Sequence, residues 1–296
     1  MFKKSFKYIV VLFLIAVAGV LGSMLWLWKS DFDATKVVFL DVGQGDAILI
    51  SQGSNQMLID GGRSGKVLLE RLGEYMPFWD SQIETVVATH PDEDHIGGLV
   101  DAVDTYRVGV FLDTKMKSET AVYKALQEAK LSRNVEDREV FSGLSVTFPD
   151  GGKIETLYPH ESFTDSRSKD TNATSIVMKL TAASGKTFLF TGDLPSEQEP
   201  MIDTAGHIDV LKAGHHGSKY SSLNEFLERL KPKDTILSVG LKNRYGHPSP
   251  ETLDRLENIH ARIFRTDTQG TISYLCPPAE GNECTVTTAK DGYQVN

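Results

Sequence analysis

The chain opens with a long apolar stretch. Residues 9–28 carry no charged side chain, and Lys3, Lys4 and Lys7 precede them. A helix of this length, at about 1.5 Å per residue, spans roughly 30 Å, the thickness of the hydrocarbon core of a bilayer. Because positive flanks stay in the cytoplasm, we expect a single-pass anchor with a cytoplasmic N-terminus and the remaining chain outside the cytoplasm.

A cleaved signal peptide is the alternative interpretation of this segment. Its apolar region would be shorter and would end in a small-x-small cleavage site. Ala16-Val17-Ala18 is such a triplet, but it lies inside the apolar run. We therefore predict an uncleaved anchor within residues 1–30, a linker over residues 31–36 and one folded domain over residues 37–296.

Beyond the linker, short apolar runs typical of strands alternate with runs of helical spacing. Helices are predicted over Lys66–Tyr75, after Gly97-Gly98, through Leu223–Leu230, and after Ser249 as N-cap with Pro250 at the first helical position. This alternation indicates one layered α/β domain. The predicted strands are Val37–Leu40, Ala47–Ile50, Met57–Ile59, Thr85–Thr89, Leu144–Phe148, Ile154–Tyr158, Ser175–Leu180, Thr187–Phe190, Ile208–Leu211, Thr235–Val239, Thr271–Cys276 and Cys284–Thr288.

The charge of the predicted domain is acidic overall but uneven. The 296 residues carry a formal net charge of −9, and the part after residue 30, with 27 basic and 40 acidic residues, carries −13. Such a body repels polyanions at long range. Residues 211–265, however, hold ten basic and six acidic residues. This local excess is compatible with a basic surface for nucleic acid or with ordinary solvated helix faces.

The chain contains two cysteines, Cys276 and Cys284, at the ends of the last two predicted strands. If these strands pair, the two thiols could face each other and form a disulfide. The sequence does not fix that geometry, so a disulfide and two unlinked thiols both remain open.

A cluster of metal-ligand side chains follows the predicted strand Thr85–Thr89. His90, Asp92, Asp94 and His95 fall within six residues. Hydrolytic metal sites use imidazole and carboxylate ligands and leave a coordination position open for water. A solvated acidic loop before a helix is the simpler alternative. Two histidines flanking two aspartates favour a site for one or two divalent ions, zinc or manganese.

The ordered motifs resemble those of the metallo-β-lactamase fold. His90-x-Asp92-x-Asp94-His95 is similar to the His-x-His-x-Asp-His signature, with Asp92 in place of its second histidine. Asp60-Gly61-Gly62, Thr191-Gly192-Asp193 and His215-His216-Gly217-Ser218 resemble the other motifs in order. The resemblance implies a four-layer αββα sandwich.

A narrower resemblance, over about residues 36–276, is to the C-terminal domain of the ComEC family of DNA-uptake channels. It rests on the metal motif together with Phe39–Asp46, Lys212–Ser218 and Asn243–Pro248. It implies single-stranded DNA as substrate and, since one anchor cannot form a pore, a separate DNA-channel membrane protein as partner. The histidine that usually precedes the glycine-aspartate motif is absent, and Asn172 is a weak substitute for it.

The resemblance also implies roles for individual residues. The expected metal ligands are His90, Asp92, Asp94, His95, Asp193 and His215, with Asp60 supporting a ligand. Catalysis would involve Asp94, Lys212 as a phosphate clamp, and His216 or His247 as proton donor, although His247 could instead only shape a turn. The residues expected to contact substrate are Gln44, Asp46, Ser218 and Asn243.

Three functions remain open at this point. The first is an extracytoplasmic nuclease or phosphodiesterase that degrades DNA during uptake. The second is hydrolysis of a small ester, lactone or amide, because a fold of this kind hosts many chemistries. The third is a catalytically weak, DNA-binding partner of a separate channel.

Overall fold

The computed structural model describes residues 13–22, 32–164, 170–279, 281 and 283–290. Of the predicted anchor, residues 13–22 lie in a helix, and the rest of residues 9–28 falls outside the described residues. Within the described ranges, no helix combines the length and the apolar character needed to cross a bilayer.

The described domain contains two β-sheets flanked by helices. The first sheet has eight strands, in the order β15-β14-β1-β2-β3-β4-β5-β6, and the second has seven, in the order β13-β12-β11-β10-β9-β8-β7. The strands are β1 Thr35–Phe39, β2 Ile48–Gln52, β3 Asn55–Ile59, β4 Gln82–Val87, β5 Arg107–Asp113, β6 Glu136–Glu139, β7 Ser145–Thr147, β8 Lys153–Tyr158, β9 Val177–Thr181, β10 Thr187–Phe190, β11 Val210–Lys212, β12 Asp234–Leu237, β13 Arg262–Arg265, β14 Ile272–Cys276 and β15 Thr285–Thr288. The helices are α1 Gly65–Tyr75, α2 Glu93–Thr105, α3 Ala121–Ser132, α4 Asn224–Leu230, α5 Pro250–Asn258 and α6 Thr266–Gln269.

Three apolar cores hold these layers together. Phe39 and Tyr274 of the first sheet pack with Phe188 and Phe190 of the second in a core between the sheets. A second core joins the outer face of the first sheet to α1, α2 and α3, and a third joins the second sheet to α4 and α5. The expected αββα order of layers is therefore confirmed.

Most predicted elements are confirmed, and the errors have local causes. Ser249 caps α5 as predicted, since its Oγ accepts the Thr252 N–H at 3.2 Å. The helix predicted after Gly97-Gly98 instead begins at Glu93. Both glycines lie inside it, where neighbouring backbone packs closely: a Cβ at Gly97 would sit 2.4 Å from the Arg63 carbonyl oxygen, and one at Gly98 would sit 2.1 Å from that of Gly61. Strand β1 begins within the predicted linker.

The last two strands form the predicted hairpin. Strand β14 pairs antiparallel with β15, with Leu275 opposite Thr285. This register brings Cys276 next to Cys284, and the two form a disulfide. The strand pairing thus excludes the alternative of two unlinked thiols.

Candidate metal centre

The motifs converge at one end of the two sheets. Strands β3 and β4 run parallel, as do β10, β11 and β12. Parallel strands end at the same edge, so the loops that follow them meet there. Asp60 follows β3, the His90–His95 segment follows β4, Asp193 follows β10, and His215 and His216 follow β11.

Asp193 lies at the centre of this convergence. Its Oδ2 lies 3.3 Å from His95 Nε2 and 3.4 Å from His216 Nε2. The Nε2 atoms of His215 and His90 lie at 3.7 and 3.9 Å from the same oxygen. Four imidazoles, two from the segment after β4 and two from the loop after β11, therefore surround one buried carboxylate.

Unpartnered polar atoms show that this arrangement fits a cation. The Nε2 atoms of His90, His95 and His216 are buried, and none of them has a hydrogen-bond partner among the described residues. The same holds for Asp193 Oδ1. Buried polar atoms without partners cost free energy, and imidazole and carboxylate groups are the donors that divalent metals take. The residues present thus fit the metal that the motifs imply.

Each of the buried histidines is held from behind. His95 Nδ1 lies 2.8 Å from Asp60 Oδ2, and His216 Nδ1 lies 2.9 Å from the Ser238 carbonyl oxygen. His90 Nδ1 lies 3.0 Å from the hydroxyl of Thr89, which itself donates to Asp60. A histidine bonded through Nδ1 in this way presents Nε2 to a metal. The expected supporting position of Asp60 agrees with these contacts.

The electrostatics of the centre favour positive charge. Burial opposes protonation of His95, but the Asp193 and Asp60 carboxylates raise its pKa well above the ordinary value. Burial likewise opposes the charge on Asp193, yet His216 and His95 hold its pKa well below the ordinary range. Burial, with His95 nearby, lowers the pKa of His90 to about 4. The carboxylates around His95 and His216 thus favour positive charge at this centre, which a divalent cation would supply.

The ligand candidates fall into two groups that share Asp193. The inner position comprises Asp94, His95 and His216, with His216 Nε2 3.6 Å from Asp94 Oδ2. The outer position comprises the remaining four candidates and is open to solvent. It consists of His90, Asp92, Asn172 and His215, and the side chain of Asp92 is 40% exposed.

His216 lies among the ligand candidates, whereas the sequence suggested it as a proton donor. The sequence predicted His215 as a ligand and His216 as a proton donor. The structure places His216 in the buried inner position, whereas the side chain of His215 is 33% exposed. Both residues adopt left-handed backbone conformations, with φ of 49° and 55°, so that adjacent side chains reach the same carboxylate.

Lys212 lies beneath the centre and is fully buried. Its Nζ lies 2.8 Å from Asp46 Oδ2 and donates to the Ala213 carbonyl oxygen. This placement does not fit the expected phosphate clamp. Asp46 is also buried and cannot meet substrate. Asp46 Oδ1, the oxygen that does not pair with Lys212, approaches Nδ1 of His216, so Asp46 supports that ring from behind. Asp46 also belongs to a cluster, with His95, Asp193 and His216, whose ligand atoms lie close enough together to hold a metal ion.

The other residues expected to contact substrate are engaged in loop structure. Gln44 Oε1 accepts the Gly240 N–H at 3.2 Å, which joins the β1–β2 loop to the loop after β12. Ser218 is buried in the turn after the histidine pair. Asn243 accepts the N–H groups of Tyr245 and His247. These three side chains shape the cleft and leave little of their own surface for substrate.

The cleft edge carries His247 and Tyr245, whose rings stack with centroids 6.0 Å apart. Burial, with His215 and His216 nearby, lowers the pKa of His247 to about 4, so its imidazole is neutral at pH 7. Tyr245 is half-exposed, and the Arg244 guanidinium lies 5.2 Å from its ring centroid. The sequence did not single out Tyr245, although an aromatic residue within the Asn243–Pro248 motif was a usable signal.

The basic surface expected over residues 211–265 is only partly present. Arg262 pairs with Asp234, Arg265 pairs with Asp267, and Lys212 is buried. Such internally paired cations do not attract a polyanion. Arg244, at the lip of the cleft, remains exposed.

Comparisons with known proteins agree with this geometry. Residues 40–240 match the family described as the Metallo-beta-lactamase superfamily. The chain is 32% identical over 272 residues to ComE operon protein 3 of Bacillus subtilis, covering 85% of this chain and 34% of that protein. It is 27% identical over 246 residues to competence protein ComA of Neisseria gonorrhoeae, covering 80% and 32%. The chain thus spans about a third of the length of these relatives.

One solved structure shows the same fold. The metallo-beta-lactamase fold protein YhfI from Bacillus subtilis superimposes with a TM-score of 0.53 at 13% identity, covering 80% of this chain and 98% of that chain. Together with the sequence matches, this likeness confirms the resemblance that the motifs predicted.

Proposed function

The chain belongs to the metallo-beta-lactamase superfamily, and from that premise we propose that it is a metal-dependent phosphodiesterase that cleaves DNA, preferentially single-stranded DNA. One observation carries the proposal. Buried imidazole nitrogens without partners converge on Asp193 in a centre that opens to solvent through Asp92 and His215. Such a centre can hold cations and still admit a phosphate group.

The choice of DNA is supported by the relatives and by the cleft edge. Competence protein ComA is named for competence, and a further relative, Recombination protein 2 of Haemophilus influenzae, is named for recombination. Tyr245 and Arg244 offer a stacking ring and an exposed positive charge beside the centre. Aromatic rings and arginines of this kind bind single-stranded nucleic acid. We extend the proposal to DNA uptake, with a separate membrane channel as partner.

The residues divide the chemistry among themselves. The donors of the inner and outer positions suit zinc or manganese. A cation held at either position would supply Lewis acidity that activates water and neutralises phosphate charge. Asp60, Thr89 and Ser238 hold the histidines in orientation. The Nδ1 atom of His247 has no hydrogen-bond partner among the described residues. This atom is therefore the candidate to form a hydrogen bond with the leaving oxygen of the substrate.

The proposed location is the outer side of the cell membrane, with residues 9–28 as anchor and the N-terminus in the cytoplasm. The lysines before this apolar run support the orientation. The disulfide between Cys276 and Cys284 supports an oxidising compartment, where such bonds persist.

A paired-variant assay tests the function. Full-length protein in detergent is assayed for bound metal and for cleavage of single-stranded DNA over time. Asp94→Ala should lower the cleavage rate by at least about 100-fold, beyond the loss typical of a supporting residue. Glu93→Ala is the matched control, because the neighbouring Glu93 side chain is 57% exposed and points away toward Arg63; it should retain the wild-type rate.

Other outcomes would redirect the assignment. Turnover of phenyl esters with DNA left intact would replace the nuclease by a small-ester hydrolase. Binding of DNA without either activity would indicate a binding partner of a channel. Equal rates in Asp94→Ala and wild-type protein would exclude this centre as the site of cleavage.

A further inference from the structure

Two large aromatic side chains are exposed side by side on the loop between α1 and β4. Phe78 is 94% exposed and Trp79 is 54% exposed. Their ring centroids lie 4.8 Å apart. An apolar side chain left so fully in water, next to a second one, is typical of a surface that meets another apolar phase.

A groove of about 300 Å³ adjoins this pair. Phe32 and Trp79 line it together with the end of α1, and its other lining includes Lys36. Phe32 is fixed in place there because its carbonyl oxygen accepts the Gly53 N–H at 2.8 Å. The described chain resumes at Phe32 after residue 22, so the groove lies where the chain enters the domain.

Chain length limits how far this groove can lie from the apolar run. Only residues 29–31 separate the end of that run, at Trp28, from Phe32. Four backbone steps reach at most about 14 Å even when fully extended. If residues 9–28 lie in a bilayer, Phe32 and the adjoining aromatic pair are therefore held close to its surface.

The metal centre lies at the other end of the same sheet. The aromatic pair precedes the first residue of β4, whereas His90 and Asp92 follow the last residue of that strand. A six-residue strand spans roughly 20 Å. The aromatic pair and the metal centre thus lie at opposite ends of β4 and face opposite directions.

We propose that Phe78 and Trp79 insert into the headgroup region of the bilayer, so that the domain stands on the membrane with its metal centre facing away. The inference rests on the membrane anchor of the proposed function. Tryptophan and phenylalanine are suited to this depth, and Lys36 adds a positive charge for anionic headgroups. Lipid is preferred over a protein partner as occupant because the short connection to Trp28 brings the bilayer to this surface.

The fluorescence of Trp79 tests the orientation. The chain has three tryptophans, so Trp26→Phe with Trp28→Phe leaves Trp79 as the single emitter. The full chain is reconstituted into vesicles of phosphatidylcholine and phosphatidylglycerol, with or without bromine near the headgroup end of the acyl chains. Bromine should quench roughly half of the Trp79 emission, as expected for an indole at interfacial depth.

A matched variant carries its tryptophan at the other end of the domain. Tyr220→Trp, combined with replacement of all three native tryptophans by phenylalanine, places the indole at an exposed residue just after the His215–Ser218 motif. This variant should keep its full emission in brominated vesicles. Quenching of Trp79 alone supports the proposal.

Flotation of the same vesicles separates the two possible failures. Protein that floats without quenching of Trp79 overturns the orientation and leaves the anchor intact. Quenching at both sites, or at Tyr220→Trp alone, also overturns it. If the protein does not float with the vesicles, both the proposed anchor and the proposed orientation are wrong. The nuclease assignment is judged separately, by the Asp94→Ala assay.

Discussion

The inner and outer positions of the metal centre share Asp193, and His90 of the outer position is held through Nδ1 as the inner histidines are, but the other outer ligands are held less firmly. In the inner position, His95 and His216 are buried and each is hydrogen-bonded through Nδ1. In the outer position, Asp92 is partly exposed and accepts a hydrogen bond from Thr171 at 2.6 Å. Asn172 stands there in place of a histidine, and its amide nitrogen lies 3.4 Å from His215 Nδ1.

The two aspartates of the motif show the same contrast. Burial disfavours charge on Asp94, but His216 and His95 hold the pKa of its carboxyl well below the ordinary value. Burial raises the pKa of Asp92, and the hydrogen bond from Thr171 offsets this only in part. A single short motif thus produces one preorganised position and one open position. We expect a cation to bind tightly at the inner position and weakly at the outer one.

Asp193→Asn should have the largest effect, because both positions use this carboxylate. We expect loss of all tightly bound metal and a fall in DNA cleavage of more than about 100-fold, beyond the range for supporting residues. Metal analysis of the purified variant measures the first effect. Retention of a full equivalent of metal would show that the two positions do not share Asp193.

Lys212→Met tests whether the inner position rests on the buried ion pair beneath it. The change removes the lysine cation from the buried Asp46 and leaves its carboxylate with only His216 nearby, which should destabilise the fold by about 3–5 kcal/mol. Chemical denaturation measures this, and adding Asp46→Asn should recover part of the loss. Unchanged stability together with weaker DNA binding would instead restore the phosphate clamp that the sequence suggested.

Asp60→Asn should weaken the inner position without removing a ligand. The amide has one acceptor oxygen, so it cannot accept both from the Thr89 N–H, now on Oδ1, and from His95, now on Oδ2. We therefore expect a 10–100-fold loss of metal affinity, roughly the range for supporting residues. Titration with a competing chelator measures it. Asp104→Asn, on the exposed face of α2, is the control, and an equal loss there would point to a general charge effect.

Asn172→His should act in the opposite direction and more weakly. It supplies the imidazole that the outer position lacks, so a second equivalent of metal should be retained through dialysis. Asn258→His, at an exposed residue of α5, controls for non-specific binding by an added histidine. A stoichiometry unchanged from wild-type protein would mean that Asn172 is not what weakens the outer position.

The sequence could predict which loops form the centre, because His90–His95, Asp193 and the histidine pair each follow an apolar strand. It could not assign roles within them. His215 and His216 are neighbours with the same side chain, and their different burial depends on the tertiary structure around the loop after β11. Lys212 looked available to substrate because its burial against Asp46 depends on a contact between the end of β11 and the distant β1–β2 loop.

The same limit applies to the fold. The layers could be predicted from alternating apolar runs, but β6 has the sequence Glu-Asp-Arg-Glu and carries no apolar signal. It is a strand because it pairs in parallel with β5 at the edge of the first sheet, where its side chains remain in water. Pairing of this kind depends on tertiary structure, so local pattern does not reveal it.

Anomalous scattering at the zinc edge, from crystals of the protein grown with one equivalent of zinc, tests the central claim most directly. The account predicts a peak at about 2.1 Å from Nε2 of both His95 and His216, with Asp94 and Asp193 as the carboxylate ligands. A peak bound by His90 and His215 alone, or no peak within reach of Asp193, would contradict it.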